Sequence, residues 1–114
     1  MMNSLRRTTL IVRNADVMKT FYEEVFGWSV SYKSELELSA TMLPYGQLGD
    51  RVKLYIMEGP DPEIGKIGLL EWLDPKLPDT GGPHYEVGIG NIILVADTPS
   101  LDDILEKIAN FPGA

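Results

Sequence analysis

A few side chains in this 114-residue sequence are of types that could do chemistry. His84 is the only histidine, and it lies in the Pro/Gly-rich stretch DPKLPDTGGPHYEVGIGN at residues 74–91. An imidazole titrates near neutral pH and can act as acid, base or ligand. A single one cannot supply a histidine-pair metal site within the chain, and it gives no basis for a hydrolytic triad. Its plainer reading is an exposed loop residue. Glu71 sits inside the apolar run IGLLEWL, sharing a strand face with Leu69 and Leu73, an odd setting for a solvated carboxylate. It is a candidate general base, or a carboxylate paired with a cation such as Arg7 across a sheet. Arg7 could also hold an anionic or carbonyl-bearing ligand. Trp28, Tyr32, Tyr55 and Trp72 fall on strand-like segments, where they either line an apolar pocket for an aromatic ligand or fill a core.

The elements that must position these residues are legible in part. TTLIV at 8–12 is a short β-rich run. Asn14 to Asp16 offer capping side chains, and DVMKTFYEEVFG has helical spacing, with Val17, Phe21 and Val25 on one face and Met18 and Tyr22 beside them. Gly27 is placed to stop that helix. Four strand candidates follow, around residues 28–33, 35–42, 52–57 and 67–73, each alternating or apolar. After the connector, IILVA at 92–96 has the look of a buried strand. Thr98 with Pro99, or Ser100 with Asp103, caps a helix carrying Leu101, Ile104, Leu105 and Ile108. A strand-then-helix unit is thus written twice, with strand-like sequence between, which predicts an α+β fold built on a duplication.

Composition bounds the function. The apolar content of 44% is ordinary for one globular domain. No apolar stretch approaches the roughly 20 residues of a membrane helix, and no signal sequence opens the chain, so the reading is a cytoplasmic protein. Cysteine is absent, which removes disulfides, thiolate metal sites and a cysteine nucleophile. The net charge of −7 comes entirely from residues 59–114, while residues 1–58 balance seven acids with seven bases. Without clustered Lys/Arg, nucleic acid is not the expected partner. The glycines of GGPHYEVGIGN do not follow a strand and open a helix, so no phosphate-cradling loop is expected.

The stretch LIVRNADVMKTFYEEVFGW, with Phe21-Tyr22 and Phe26-Gly27, resembles the opening of a vicinal oxygen chelate module, from the glyoxalase, bleomycin-resistance and extradiol-dioxygenase superfamily. IGLLEWLDP looks like the last strand of a first module, and GNIILVADTPSLDDILEKIANFPGA like the start of a second. The resemblance implies a βαβββ module over residues 7–73, a connector over 74–91 and a partial second module over 92–114. Their mixed sheet would curve into a cup. It further implies a divalent metal at the floor of the cup, held by the first and last strands of each module, with positions open to a substrate's oxygens. The ligand positions so implied fall on Arg7, Glu71 and Gly90 or Asn91, with the fourth beyond Ala114. Arg7 is an obligate cation and cannot ligate. Glu71 is the one match.

Three functional readings follow. The first is a metal-dependent lyase, isomerase or dioxygenase with Glu71 as the surviving ligand and catalytic group. The second is a metal-free module binding a small molecule through Arg7, Trp28, Tyr32, Tyr55, Trp72 and His84. The third is a fragment whose activity needs a further C-terminal part. The expected cofactor is at most a divalent ion, with none held by this chain alone. An incomplete sheet would leave strand edges and apolar faces open, which predicts a homodimer or higher oligomer. A ferredoxin-like βαββαβ fold is the rival, but it expects two strands between its helices.

Overall fold

A computed structural model describes residues 3–39, 46–79 and 88–112. The chain divides into two compact units, residues 1–77 and 78–114.

The first unit is a βαβββ module. Strand β1 (Arg7–Ile11) leads to helix α1 (Ala15–Phe21), which runs on into a π-helical turn (Tyr22–Phe26); strands β2 (Ser29–Glu37), β3 (Arg51–Glu58) and β4 (Lys66–Asp74) follow. The sheet order is β1-β4-β3-β2, with β1 parallel to β4 and the other pairs antiparallel. Among the described residues of this unit three strands therefore follow α1, not four. Residues 35–37 continue β2 instead of opening a strand of their own, since Lys33, Ser34 and Glu35 pair without a break with Tyr55, Leu54 and Lys53. A register shift between Val30 and Tyr32 turns Val30 to the helix side and Tyr32 to the opposite face. Residues 40–42 lie outside the described residues.

Helix α1 starts where Asn14, in extended backbone, accepts a hydrogen bond from the Val17 N–H at 3.1 Å. It ends at Gly27, whose φ of 72° is left-handed and whose N–H donates to the carbonyls of Glu23 and Tyr22. The stop at glycine is the one expected from the sequence, but the buried face is rotated from the expected one. Ala15, Tyr22 and Val25 are buried while Val17 stays about half exposed. Ala15, Met18, Tyr22 and Val25 still form a regular i, i+3, i+7, i+10 stripe, but one that starts at Ala15 and not at Val17.

The sheet packs apolar residues on both faces. On the helix side, Ala15 and Tyr22 meet Tyr55, Met57, Ile67 and Leu69, with Leu10, Met18, Phe21, Phe26 and Trp28 around them. On the other side, Leu38, Val52, Leu70 and Trp72 pack together with Leu36 and Leu54. β4 lies inside the sheet and is buried from Ile67 to Trp72. That explains why it reads as a nearly continuous apolar run.

In the second unit, Ser100 caps helix α2 (Leu101–Asn110), its Oγ accepting from the Asp103 N–H at 3.3 Å. Thr98 supports that cap by accepting from the Ser100 N–H at 3.2 Å. Of the two caps the sequence allows, the structure uses Ser100. Residues 92–96 are not a strand; Ile92, Ile93 and Val95 are exposed. β-rich composition becomes a strand only through backbone pairing, and the described residues of this unit contain no second strand to pair with. The duplication read in the sequence is thus realised in its helix and not in its strand.

Candidate functional site

Side chains alternate across a strand, so the register assigns every strand residue to a face. Leu10 pairs with Leu69 on the helix side, and Tyr55 pairs with Leu69 there too. Arg7, Thr9 and Ile11 therefore point to the opposite face, with Gly68, Leu70 and Trp72 of β4 and Val52, Leu54 and Ile56 of β3. Glu71 falls on the helix side. Arg7 and Glu71 consequently lie on opposite faces of the sheet, and the ion pair expected between them does not form.

Glu71 has another occupation. It is 8% exposed, and its Oε1 accepts a hydrogen bond from the backbone N–H of Ala15 at 2.8 Å. Ala15 is the first residue of α1 and is fully buried. A carboxylate there satisfies one of the helix's unpaired N–H groups and sits favourably at the positive end of its dipole. Lys76 approaches Oε2 at 3.8 Å, but its side chain is largely exposed, so this contact adds little. A second polar cluster stands beside it. Asp16 accepts from the Tyr55 hydroxyl, and Lys53 donates to it at 3.0 Å while also lying 3.6 Å from Glu35. The bond from Tyr55, then that from Lys53, holds the Asp16 carboxyl below its ordinary value. The same contact with Asp16 raises both Tyr55 and Lys53 above theirs. Asn14 caps the first turn of α1, and Glu71 and Asp16 fasten that turn to β4 and β3. Sequence reasoning missed Asp16 and Lys53 because partners 37 residues apart become neighbours only once the register is known.

The four aromatic candidates do not form one pocket. Trp28 stacks on Tyr22 with ring centroids 5.4 Å apart, within the helix-side core. Tyr55 is buried on that side as well. Tyr32 and Trp72 share the other face but stand apart along it, since Tyr32 pairs with Ile56 and Trp72 with Val52. Four residues of strand separate those rows, about 13 Å. Trp72 is buried and donates its indole N–H to Asp50 at 3.0 Å. Tyr32, about half exposed, is the aromatic available to a ligand. His84 lies outside the described residues, so its place at a site is not assigned.

The open part of the face away from α1 has two rows. Thr9, Gly68, Ile56 and Tyr32 form one; Ile11, Leu70, Leu54 and Ser34 form the next. Ile11 and Tyr32 are about half exposed, and Leu54 and Ile56 partly so. Gly68 is required in its row. A Cβ there would stand 2.5 Å from the Thr9 hydroxyl oxygen and 3.2 Å from the Thr9 Cβ. A glycine inside a strand signals such a close approach, and this clue was present in the sequence. Carboxylate and imidazole groups are lacking from both rows, and among the described residues no group of three or more His, Cys, Asp or Glu could hold a metal ion.

These features define a βαβββ module with helix α1 on one face of a mixed sheet and an apolar second face. Residues 4–110 match the Glyoxalase/Bleomycin resistance protein/Dioxygenase superfamily, and the chain belongs to that superfamily. Among solved structures, a glyoxalase family protein from Bacillus cereus is similar, with a TM-score of 0.71 at 17% identity over 96% of this chain and 72% of that one. That likeness shows the fold. No curated protein sequence gives a match. Among the described residues, no helix is long and apolar enough to cross a membrane.

Two outcomes are expected from this polar anchoring of α1. Glu71→Leu leaves the buried Ala15 N–H without an acceptor and should cost about 1–3 kcal/mol in urea unfolding, whereas Glu71→Gln, which keeps an amide oxygen, should cost clearly less. Equal stability of Glu71→Leu and the parent would refute the docking role. Asp16, with its folded pKa below the ordinary 3.8, contributes stability that is present above that value and is lost as pH falls through the lower folded one. Melting temperatures taken from about pH 5 down to pH 2 should fall less steeply in Asp16→Asn. An unchanged acid slope would show that the cluster does not stabilise the fold.

Proposed function

We propose that this chain binds a small, largely apolar organic molecule on the sheet face opposite α1, without a metal ion of its own. The observation that carries this reading is the orientation of Glu71. It is the one residue matching a superfamily ligand position, and its carboxylate is turned to the helix side and bonded to the Ala15 N–H. The open face meanwhile offers Thr9, Ile11, Tyr32, Leu54 and Ile56. Such a surface, apolar with a few hydroxyls, suits ligand binding through contact area with limited polar orientation. Metal-dependent lyase, isomerase or dioxygenase chemistry would need donors that these rows lack.

Phenylacetamide is a suitable neutral probe. Titrated into isotopically labelled protein with a chelator present, it should shift the amide resonances of Thr9, Tyr32, Leu54 and Ile56, and Leu54→Lys should abolish the effect. Shifts confined to the α1 side, or appearing only after a divalent metal is added, would sink the reading.

We further propose that the chain self-associates as a homodimer. β1 and β2 are the edge strands of the sheet, and Ile92, Ile93 and Val95 are exposed in a β-rich segment. Open edges and exposed apolar runs of this kind favour pairing with a second chain. Light scattering at micromolar concentration should give twice the chain mass; a monodisperse monomer would overturn the proposal.

A further inference from the structure

We propose that the molecule bound on this face is a carboxylate, its anion held between Arg7 and Lys66 and its apolar body lying along Ile56 and Tyr32. The inference rests on the binding reading above and adds the substrate class. Arg7 and Lys66 are Cα partners in the parallel β1–β4 register, so they are neighbours about 4.8 Å apart on the same face. Arg7 is exposed and Lys66 half-buried. Neither takes part in an ion pair among the described residues. The next row inward begins with Thr9, whose hydroxyl lies over the bare backbone of Gly68. A guanidinium fork, an ammonium and a hydroxyl thus border one end of an apolar strip. That combination matches a carboxylate, which accepts two parallel bonds from arginine.

The neighbouring charge favours a monoanion. Glu58 follows Met57, a helix-side residue, and therefore turns to the same face as Arg7, opposite Ser29. Two cations and one carboxylate leave a single positive charge at this end, which suits a monocarboxylate better than a dianionic phosphate. Arg6, one residue earlier, points to the other side, and only its carbonyl is engaged here, accepting from the Lys66 N–H at 3.1 Å.

The test compares phenylacetate with phenylacetamide on the full chain by resonance titration at low salt. Phenylacetate should bind about tenfold more tightly, as expected for one charge-assisted contact. In Arg7→Gln/Lys66→Gln the two affinities should converge, the acid's falling about tenfold and the amide's much less, and Arg7→Lys, which keeps the charge but not the fork, should keep only part of the preference. Added salt should weaken phenylacetate alone. Equal affinity of acid and amide for the parent protein would overturn the charge assignment and leave the binding reading standing. Failure of both probes to bind would overturn the two together. Amide shifts that persist at Tyr32, Leu54 and Ile56 in the double variant also show that the face has kept its shape.

Discussion

The hydrogen bond from the Ala15 N–H to Glu71 is the constraint around which the first unit is arranged. It joins the start of α1 to the middle of the sheet at a point sealed from water, where neither group could be left alone. A buried N–H without an acceptor and a buried carboxylate without a donor each cost more than the bond between them yields. Together they specify where α1 begins and which way β4 faces. A slip of one residue in β4 would send Glu71 to the opposite face, bring Leu70 and Trp72 to the helix, and strand both polar groups.

The same parity decides what the other face can do. With Glu71 committed to the helix side, β4 shows Gly68, Leu70 and Trp72 to the far side, and β1 shows Arg7, Thr9 and Ile11. Divalent metals need carboxylate or imidazole donors converging on one point, and these strands do not offer them. The carboxylate that the superfamily pattern would give to a metal is occupied instead by a helix N-terminus. A helix start carries a partial positive charge and an N–H that the chain must satisfy in any case. It can therefore partner a buried acid without a metal or another side chain. Arg7, which sequence reasoning set against Glu71 as its counter-ion, is released to the open face.

Much of this fold was legible in the sequence because its signals are local. Gly27 and the alternation in β3 act within a few residues and are found where expected, and Asn14 and Ser100 are among the caps that the sequence allowed. The superfamily and its βαβββ order followed from Phe21-Tyr22 and the glycine after them, and the match over residues 4–110 bears this out. Three features were not legible, and each depends on something beyond local pattern. The polar run Lys33-Ser34-Glu35 made one long strand look like two, although its pairing with β3 continues without a break. The long-range docking of Ala15 on Glu71 turned α1 so that Val17 faces water and Ala15 does not. The run IILVA has strand composition, but no property of five residues can supply the neighbouring strand they need.

The candidate site failed in the sequence for a related reason. Glu71, Arg7 and the aromatic residues were chosen by type, and type does not say which face a residue takes. Trp28 and Tyr55 went to the helix-side core, Trp72 to a buried contact with Asp50, and Tyr32 alone stayed open. Knowing the face of any one β4 residue sorts Glu71 and Trp72 by alternation, and with the register also Arg7 and Tyr55. Gly68 held that information. A glycine among Ile67, Leu69 and Leu70 has no helical or turn purpose, so it marks the place where β1 approaches too closely for a side chain. Thr9 is the residue that fills the gap, which puts Thr9, Arg7 and Ile11 on the glycine's face. Glu71, three residues beyond Gly68, then has to lie on the other.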